Sequence, residues 1–141
     1  MNAMKAMCIA ACMSAVCCNA ERVPSRSLLD AIARVESTDG KASGNVYQIT
    51  PEYVADVNRI QRKLTRVDGV RRHRFSCEDV FDRAKSEEMM LVYWGYYSRR
   101  LGKTDAEHFA KLHNVGYRGV KEKRSAGERY WNKVKNEMNA R

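Results

Sequence analysis

Apolar residues recur at helical spacing in five stretches of the 141-residue chain, and capping signals precede them. In the first stretch, residues 27–36 (SLLDAIARVE), Ser27 and Asp30 are spaced as a capping box. Its apolar face consists of Leu28, Leu29, Ile32 and Val35. This pattern predicts an amphipathic helix that ends at Glu36.

A second helix is predicted to begin at Thr50, because threonine is a good N-cap and the following Pro51 is tolerated in a first turn. We expect its inward face to comprise Val54, Val57, Ile60 or Gln61, Leu64 and Val67. A basic loop is expected at residues 68–75.

The longest predicted helix opens with a capping box formed by Ser76 and Asp79 and stops at Gly102. Its middle, residues 89–97, is apolar nearly all round, which is typical of a central buried helix. The aromatic residues there fit core packing better than a sugar-binding groove.

Two further helices follow. The first is predicted to start from Thr104 with Glu107 and to end at a turn formed by residues 113–116. The last starts from Ser125 with Glu128. Its expected inward residues are Tyr130, Trp131, Val134 and Met138.

Between the first two helices lies a turn-rich stretch, STDGKASGN, followed by Val46-Tyr47-Gln48-Ile49. The alternation in that second segment predicts a short strand or extended edge. The fold class is therefore mainly α, with about five helices and a minimal extended element.

The first twenty residues have the plan of a secretory signal peptide: one basic residue (Lys5), a short apolar run, and small residues before Glu21. We expect export to the periplasm or the medium, with cleavage after Ala20 and a single domain at 21–141. The apolar run is too short to span a bilayer, so no integral membrane segment is expected. Too little apolar sequence precedes Cys12 for lipoprotein anchoring.

The chain is strongly basic, with 26 Lys and Arg against 17 Asp and Glu and a formal charge of +9. Such a surface attracts polyanions. Nucleic acid and the carboxylate- and phosphate-rich polymers of a cell wall are both candidates, and charge alone does not choose between them.

Cysteine and histidine usage excludes several site types. After cleavage only Cys77 remains, so no internal disulfide can form and the core must stabilise the domain. His73, His108 and His113 are scattered without ligand spacing, and no glycine-rich phosphate loop is present. We therefore expect neither a metal nor a cofactor.

Glu36 is the candidate for acid–base chemistry. It follows Ile32 by four residues, on or beside the apolar face, where a carboxylate loses hydration and tends to remain protonated. A protonated carboxyl group is what a glycosidase needs to protonate its leaving oxygen. The alternative, more frequent on spacing alone, is a helix-end glutamate facing water.

Four separated segments resemble the soluble lytic transglycosylase and goose-type lysozyme group of the lysozyme-like superfamily. They are Glu36-Ser37, Tyr47-Gln48-Ile49, the turn His113-Asn114-Val115-Gly116, and residues 128–134 (ERYWNKV). Their order matches that of the group. Two features depart from it: His113 stands where the group usually has tyrosine, and the loop before Tyr47 is short and lacks the usual Gly-Leu.

The resemblance implies a lysozyme-like α+β fold and cleavage of the β-1,4 bond between N-acetylmuramic acid and N-acetylglucosamine in peptidoglycan. Glu36 would act as general acid and then as base. Lytic transglycosylases direct that base at the sugar's own 6-hydroxyl, with help from the N-acetyl group, and form a 1,6-anhydro end, whereas lysozyme-type hydrolases activate water. A two-carboxylate mechanism would need Asp39, Glu52 or Asp56 as the partner. None matches a position in the group, which favours the single-acid route.

The supporting roles follow from side-chain chemistry. Ser37 would hold a sugar or Glu36, and Gln48 and Asn114 would bond acetamido groups. Tyr130 would bond the Glu36 carboxyl group while its ring packs. Tyr47, Ile49 and His113 would line the substrate cleft. The ordinary alternatives are a helix end for Ser37, a turn for Asn114 and core positions for Tyr47, Ile49 and Tyr130.

Two other functions remain open: a non-catalytic wall-binding protein on the same fold, and a nucleic-acid-binding protein that uses Arg71, Arg72 and Arg74. Predicted export argues against nucleic acid. The expected partner is therefore the peptidoglycan glycan strand, bound by a monomer.

Overall fold

The computed structural model describes residues 23–37 and 44–140, and within these ranges it is mainly helical. The five helices are α1 (Arg26–Ser37), α2 (Pro51–Asp68), α3 (Arg83–Leu101), α4 (Ala106–Lys121) and α5 (Ser125–Asn139), with a 3₁₀ helix at Cys77–Phe81. No strand occurs in the described ranges. The predicted signal peptide, its cleavage site and Asp39 lie outside them.

Helix α1 is capped two residues earlier than the sequence predicts. The Ser25 hydroxyl accepts a bond from the Leu28 amide at 3.2 Å, so serine 25 caps the helix. The predicted Ser27–Asp30 capping box is therefore wrong. Asp30 instead accepts a bond from Arg83 of α3 at 2.6 Å, which ties the two helices together.

Helix α2 starts as predicted, with the Thr50 hydroxyl accepting from the Tyr53 amide at 3.3 Å and Pro51 in the first turn. It ends at Gly69, whose φ of 72° is left-handed. Its inward face is confirmed at Val54, Val57, Ile60 and Gln61, which are all buried. The inward position predicted for Val67 is wrong, because this residue lies on the last turn and is 87% exposed.

The predicted third helix is two elements. The Ser76 amide donates to Asp79 at 2.7 Å, as in a capping box, but this box opens the 3₁₀ helix. Asp82 has an extended backbone and caps α3 by accepting from the Lys85 amide at 3.1 Å. This extended residue separates the 3₁₀ helix from α3. The end at Gly102 is confirmed. The buried face of α3 includes Met89, Met90, Tyr93, Trp94 and Tyr97.

Helix α4 is capped by Asp105 rather than Thr104, because the Asp105 carboxylate accepts from the His108 amide at 2.8 Å. It does not end at residues 113–116. Gly116 adopts φ 66° and ψ 179°, which kinks the chain, and the helix resumes to Lys121. Helix α5 begins at Ser125, but Arg124 is at the N-cap and no side chain caps the helix, so the predicted Ser125–Glu128 cap is wrong. The helix buries Tyr130 and Val134.

The predicted strand at residues 46–49 is a turn. The Asn45 side chain accepts from the Ile49 amide at 3.0 Å and donates to the Ile49 carbonyl at 2.8 Å. Gln48 adopts a φ of 51°. These bonds satisfy the local backbone, so the segment needs no partner strand.

The helices pack around a core in which α5 contacts α1 and α4 while α3 contacts α2 and α4. The Glu87 carboxylate of α3 links several elements through hydrogen bonds. This carboxylate accepts from the Tyr47 hydroxyl at 2.6 Å, from Arg26 at 2.6 Å and from Arg83 at 3.0 Å. Nowhere in the described chain is a helix both long and apolar enough to cross a bilayer.

Candidate active site

An open groove of about 890 Å³ lies where the end of α1, the 44–50 turn, the first half of α2 and the kink of α4 meet. Most residues singled out by the sequence contribute to it: Glu36, Tyr47, Gln48, Ile49, His113 and Asn114. The fold therefore brings together segments that are far apart in the chain.

Glu36 lies near the end of α1 with 19% of its side chain exposed. The Tyr130 hydroxyl donates a 2.6 Å bond to its Oε1 atom. Burial, and secondarily the facing carboxylate, raise the pKa of Tyr130 far above its usual range, so this hydroxyl remains protonated and stays a donor. Glu36 is thus a half-buried acid whose orientation is fixed from behind by α5.

His113 approaches the same carboxylate from α4. Its Nε2 atom lies 3.0 Å from the Tyr47 carbonyl oxygen and 3.7 Å from Glu36 Oε1. A carbonyl oxygen only accepts, so Nε2 carries the hydrogen. Burial lowers the pKa of His113 to about 4 despite the bond to Tyr47. The ring is therefore neutral at neutral pH and cannot supply a permanent positive charge beside Glu36.

The turn before α2 forms a wall of the groove. The Tyr47 side chain is wholly buried and its hydroxyl bonds Glu87, while Ile49 is 4% exposed. Both residues border the groove but are buried, so the core alternative fits their side chains better than a contact with sugar. Gln48 is half-buried in the groove, and its Nε2 donates to the Asn45 carbonyl at 3.0 Å.

Ser37 and Tyr130 do not belong to the groove lining. The Ser37 hydroxyl donates to the Ala33 carbonyl of its own helix, and its side chain is exposed. The ordinary helix-end interpretation fits Ser37 better than a contact with sugar or with Glu36. Tyr130 is 7% exposed and acts on the groove through Glu36. Asn114 is exposed at the rim.

Helix α2 contributes groove residues that the sequence reasoning did not assign to substrate. Tyr53 stacks on Tyr93 of α3 with ring centroids 4.4 Å apart, and both line the groove. Arg59 and Arg62 also line it, and Arg59 is ion-paired with Asp56 of the same helix. The only sequence signal for the two arginines was their position opposite the apolar face of α2. Any solvent-exposed helix face gives the same signal.

Two of the three candidate second carboxylates lie in the groove, Glu52 and Asp56. Asp56 accepts from the Tyr97 hydroxyl at 2.8 Å and from Arg59 Nε at 2.8 Å. Glu52 is exposed, and bonds to its own backbone amide and to Thr50 lower its pKa. The lowered pKa favours Glu52 as an anion, and Asp56 is held by its bonds to Tyr97 and Arg59.

The described residues contain no group of three His, Cys, Asp or Glu side chains placed to hold a metal ion. The groove combines the half-buried carboxyl group of Glu36 with amide, hydroxyl and guanidinium groups. No protein-family model, curated protein or solved structure matches the chain.

Proposed function

We propose that the protein is an exported, peptidoglycan-cleaving glycosidase of lysozyme-like architecture that acts on the β-1,4 bond between N-acetylmuramic acid and N-acetylglucosamine. The observation that carries the proposal is Glu36, which is 19% exposed, faces an open groove and is held by the Tyr130 hydroxyl. A carboxyl group in such a position suits proton transfer to a glycosidic oxygen.

In this proposal Glu36 first donates its proton to the leaving oxygen and then, as a carboxylate, accepts one. Tyr130 keeps the carboxyl group oriented in both states, because its own proton is retained. Neutral His113 adds an N–H near the same oxygen atom. The amide groups of Gln48 and Asn114 can donate to and accept from acetamido groups of the glycan.

The lytic transglycosylase route is favoured because it needs only one acid. Asp56 already bonds Tyr97 and Arg59, which holds it within a polar cluster of its own. Hydrolysis is the second candidate, because Glu52 and Asp56 share the groove with Glu36 and either could activate water. The nature of the product separates the two routes.

The test is release of soluble muropeptides from insoluble peptidoglycan by the purified protein, with products identified by mass spectrometry. We expect 1,6-anhydro ends, and we expect Glu36→Gln to reduce release by about a thousandfold because it removes the proposed proton donor. Glu88→Gln, an exposed position of α3 outside the groove, is the matched control and should keep full activity.

Companion variants locate any second carboxylate. Reducing ends, together with a large loss in Asp56→Asn or Glu52→Gln, would establish a hydrolase. Full activity in a folded Glu36→Gln protein would refute the proposal. Tight sedimentation with peptidoglycan but no release by the unmodified protein would instead indicate a non-catalytic wall-binding protein.

A further inference from the structure

The C-terminal half of α2 and the loop after it concentrate positive charge on one side of the molecule. Positions 62–74 (RKLTRVDGVRRHR) hold six basic residues and one acid. Arg72 is neutralised by Asp68, with its Nη1 atom 2.8 Å from Oδ1. The other five form no ion pair with any carboxylate of the described chain: Arg62, Lys63, Arg66, Arg71 and Arg74.

Large apolar side chains are exposed among these cations. Val67 is 87% exposed and Val70 is 57% exposed. Leu91 of α3 is 40% exposed and lines the same shallow depression as Val67, which also includes Lys63 and Arg66. These three are a majority of the five large hydrophobic side chains exposed in the described chain. We call the five cations and these three apolar residues the basic–apolar surface.

The turn that presents the valines is locally well held. Gly69 has a left-handed φ of 72°, and its amide donates to the Thr65 carbonyl at 2.8 Å. The Thr65 hydroxyl donates to the Val70 carbonyl at 2.9 Å, and the Val70 amide donates to Asp68 at 2.9 Å. Val67 and Val70 are therefore kept in water by a bonded turn, at a cost that burial against a partner would recover.

The mixture of cations and aliphatic groups identifies the kind of partner. A soluble polyanion would engage the arginines and leave the valines in water. Single-stranded nucleic acid would need flat side chains with open faces for stacking. His73 packs edge-on against Phe75 with centroids 4.9 Å apart, and Tyr96, in the same depression as Val67, is half-buried with the Arg100 guanidinium 3.6 Å from its centroid. An anionic lipid surface uses both features, because headgroups attract cations and the acyl boundary accepts aliphatic side chains.

We propose that the basic–apolar surface is a peripheral docking site for membranes that contain anionic phospholipids. Arg62, one of the five cations of this surface, also lines the groove that contains Glu36. Docking would therefore hold the groove next to the membrane. It does not depend on turnover, so Glu36→Gln keeps it.

The test is co-sedimentation of the full chain with phosphatidylcholine vesicles that contain or lack about 30 mol % phosphatidylglycerol. Residues 1–22 are common to all variants. Replacing Arg66, Arg71 and Arg74 by Gln should lower partitioning onto anionic vesicles about a hundredfold, since each basic residue near an anionic surface contributes about fivefold. Val67→Ser with Val70→Ser should lower it at least about tenfold at unchanged charge.

The matched control replaces Lys121, Lys133 and Lys135 by Gln, which removes the same charge from exposed positions on α4 and α5. It should change partitioning less than about threefold. An equal loss in this control would show general attraction of a basic protein and would overturn the proposal. Unchanged vesicle binding by the valine variant, with DNA binding lost in the arginine variant, would replace the membrane by a soluble polyanion.

Discussion

At the residue scale, the orientation of Glu36 depends on a residue 94 positions later in the chain. The Tyr130 hydroxyl is the donor that the structure shows on Glu36 Oε1, and α5 must pack on α1 for it to arrive. A hydrogen bond to a charged group contributes about 1.5–3 kcal/mol. The tyrosine is thus a positioning residue for the acid.

Tyr130→Phe should therefore reduce muropeptide release about tenfold to a hundredfold, because the ring still packs while the carboxyl group loses its fixed orientation. Steady-state assays with thermal unfolding of the same samples measure this. Tyr96→Phe, a half-buried position of α3 outside the groove whose hydroxyl accepts a bond from Arg100, is the matched control and should keep activity. Equal activity in Tyr130→Phe and the unmodified protein would remove Tyr130 from the site.

The sequence predicted some of these residue positions and not others. Glu36 follows Ile32 by one helical turn, so a placement beside the core could be read from spacing, and the bond to Tyr130 is present as expected. The neutral state of His113 could not be read, because it results from burial by segments distant in sequence. A sugar contact by Ser37 stays a prediction, because a helix-end serine also bonds its own backbone, as Ser37 does to the Ala33 carbonyl.

At the element scale, periodicity located all five helices, while several of their first residues were displaced. The capping predictions failed where another side chain offered a better bond, as Ser25 does for α1 and Asp105 does for α4. Because α1 begins at Arg26, Asp30 lies beyond the first turn, and its carboxylate binds Arg83 across helices instead. Tertiary contacts of this kind are not encoded in a local pattern.

The kink in α4 has a residue-specific cause. Gly116 adopts φ 66° and ψ 179°, a region that residues with a Cβ atom rarely enter. A Cβ there would also lie 3.2 Å from the Tyr93 hydroxyl, which accepts a bond from the Tyr117 amide. The kink separates the part of α4 that carries His113 from its last turns.

Gly116→Ala should accordingly destabilise the protein by about 1–3 kcal/mol, measured as the free energy of unfolding in urea. Gly95→Ala is the matched control, because it lies inside α3 with no atom within 4 Å of the new Cβ. There the alanine should be neutral or stabilise by up to about 1 kcal/mol. A neutral Gly116→Ala would mean that α4 does not need this conformation.

At the scale of the whole molecule, proton binding links the site to stability. Buried histidines and ion-paired carboxylates both have lowered pKa values in the folded state. Burial lowers the pKa of His113 to about 4, and bonds from Arg26, Tyr47 and Arg83 outweigh burial to lower the pKa of Glu87 to about 2. Their pH windows differ, so acid should weaken the protein in two stages.

The first stage belongs to His113. Between pH 6.5, its ordinary pKa, and about 4 the unfolded chain binds a proton that the folded chain does not, so stability falls as the pH falls. The loss should reach about 3 kcal/mol near pH 4 and then level, while the contribution of Glu87 is lost only below about 4.5. Burial of His108 adds a smaller slope of the same sign.

His113→Gln should remove most of this first stage, because glutamine does not titrate and its amide can still donate to the Tyr47 carbonyl. The measurement is the free energy of urea unfolding at several pH values between 7 and about 4. His73→Gln, at an exposed position, should keep the slope of the unmodified protein. If His113→Gln lost stability over this range as steeply as the unmodified chain, His113 would not be the buried neutral group beside Glu36 that the groove requires.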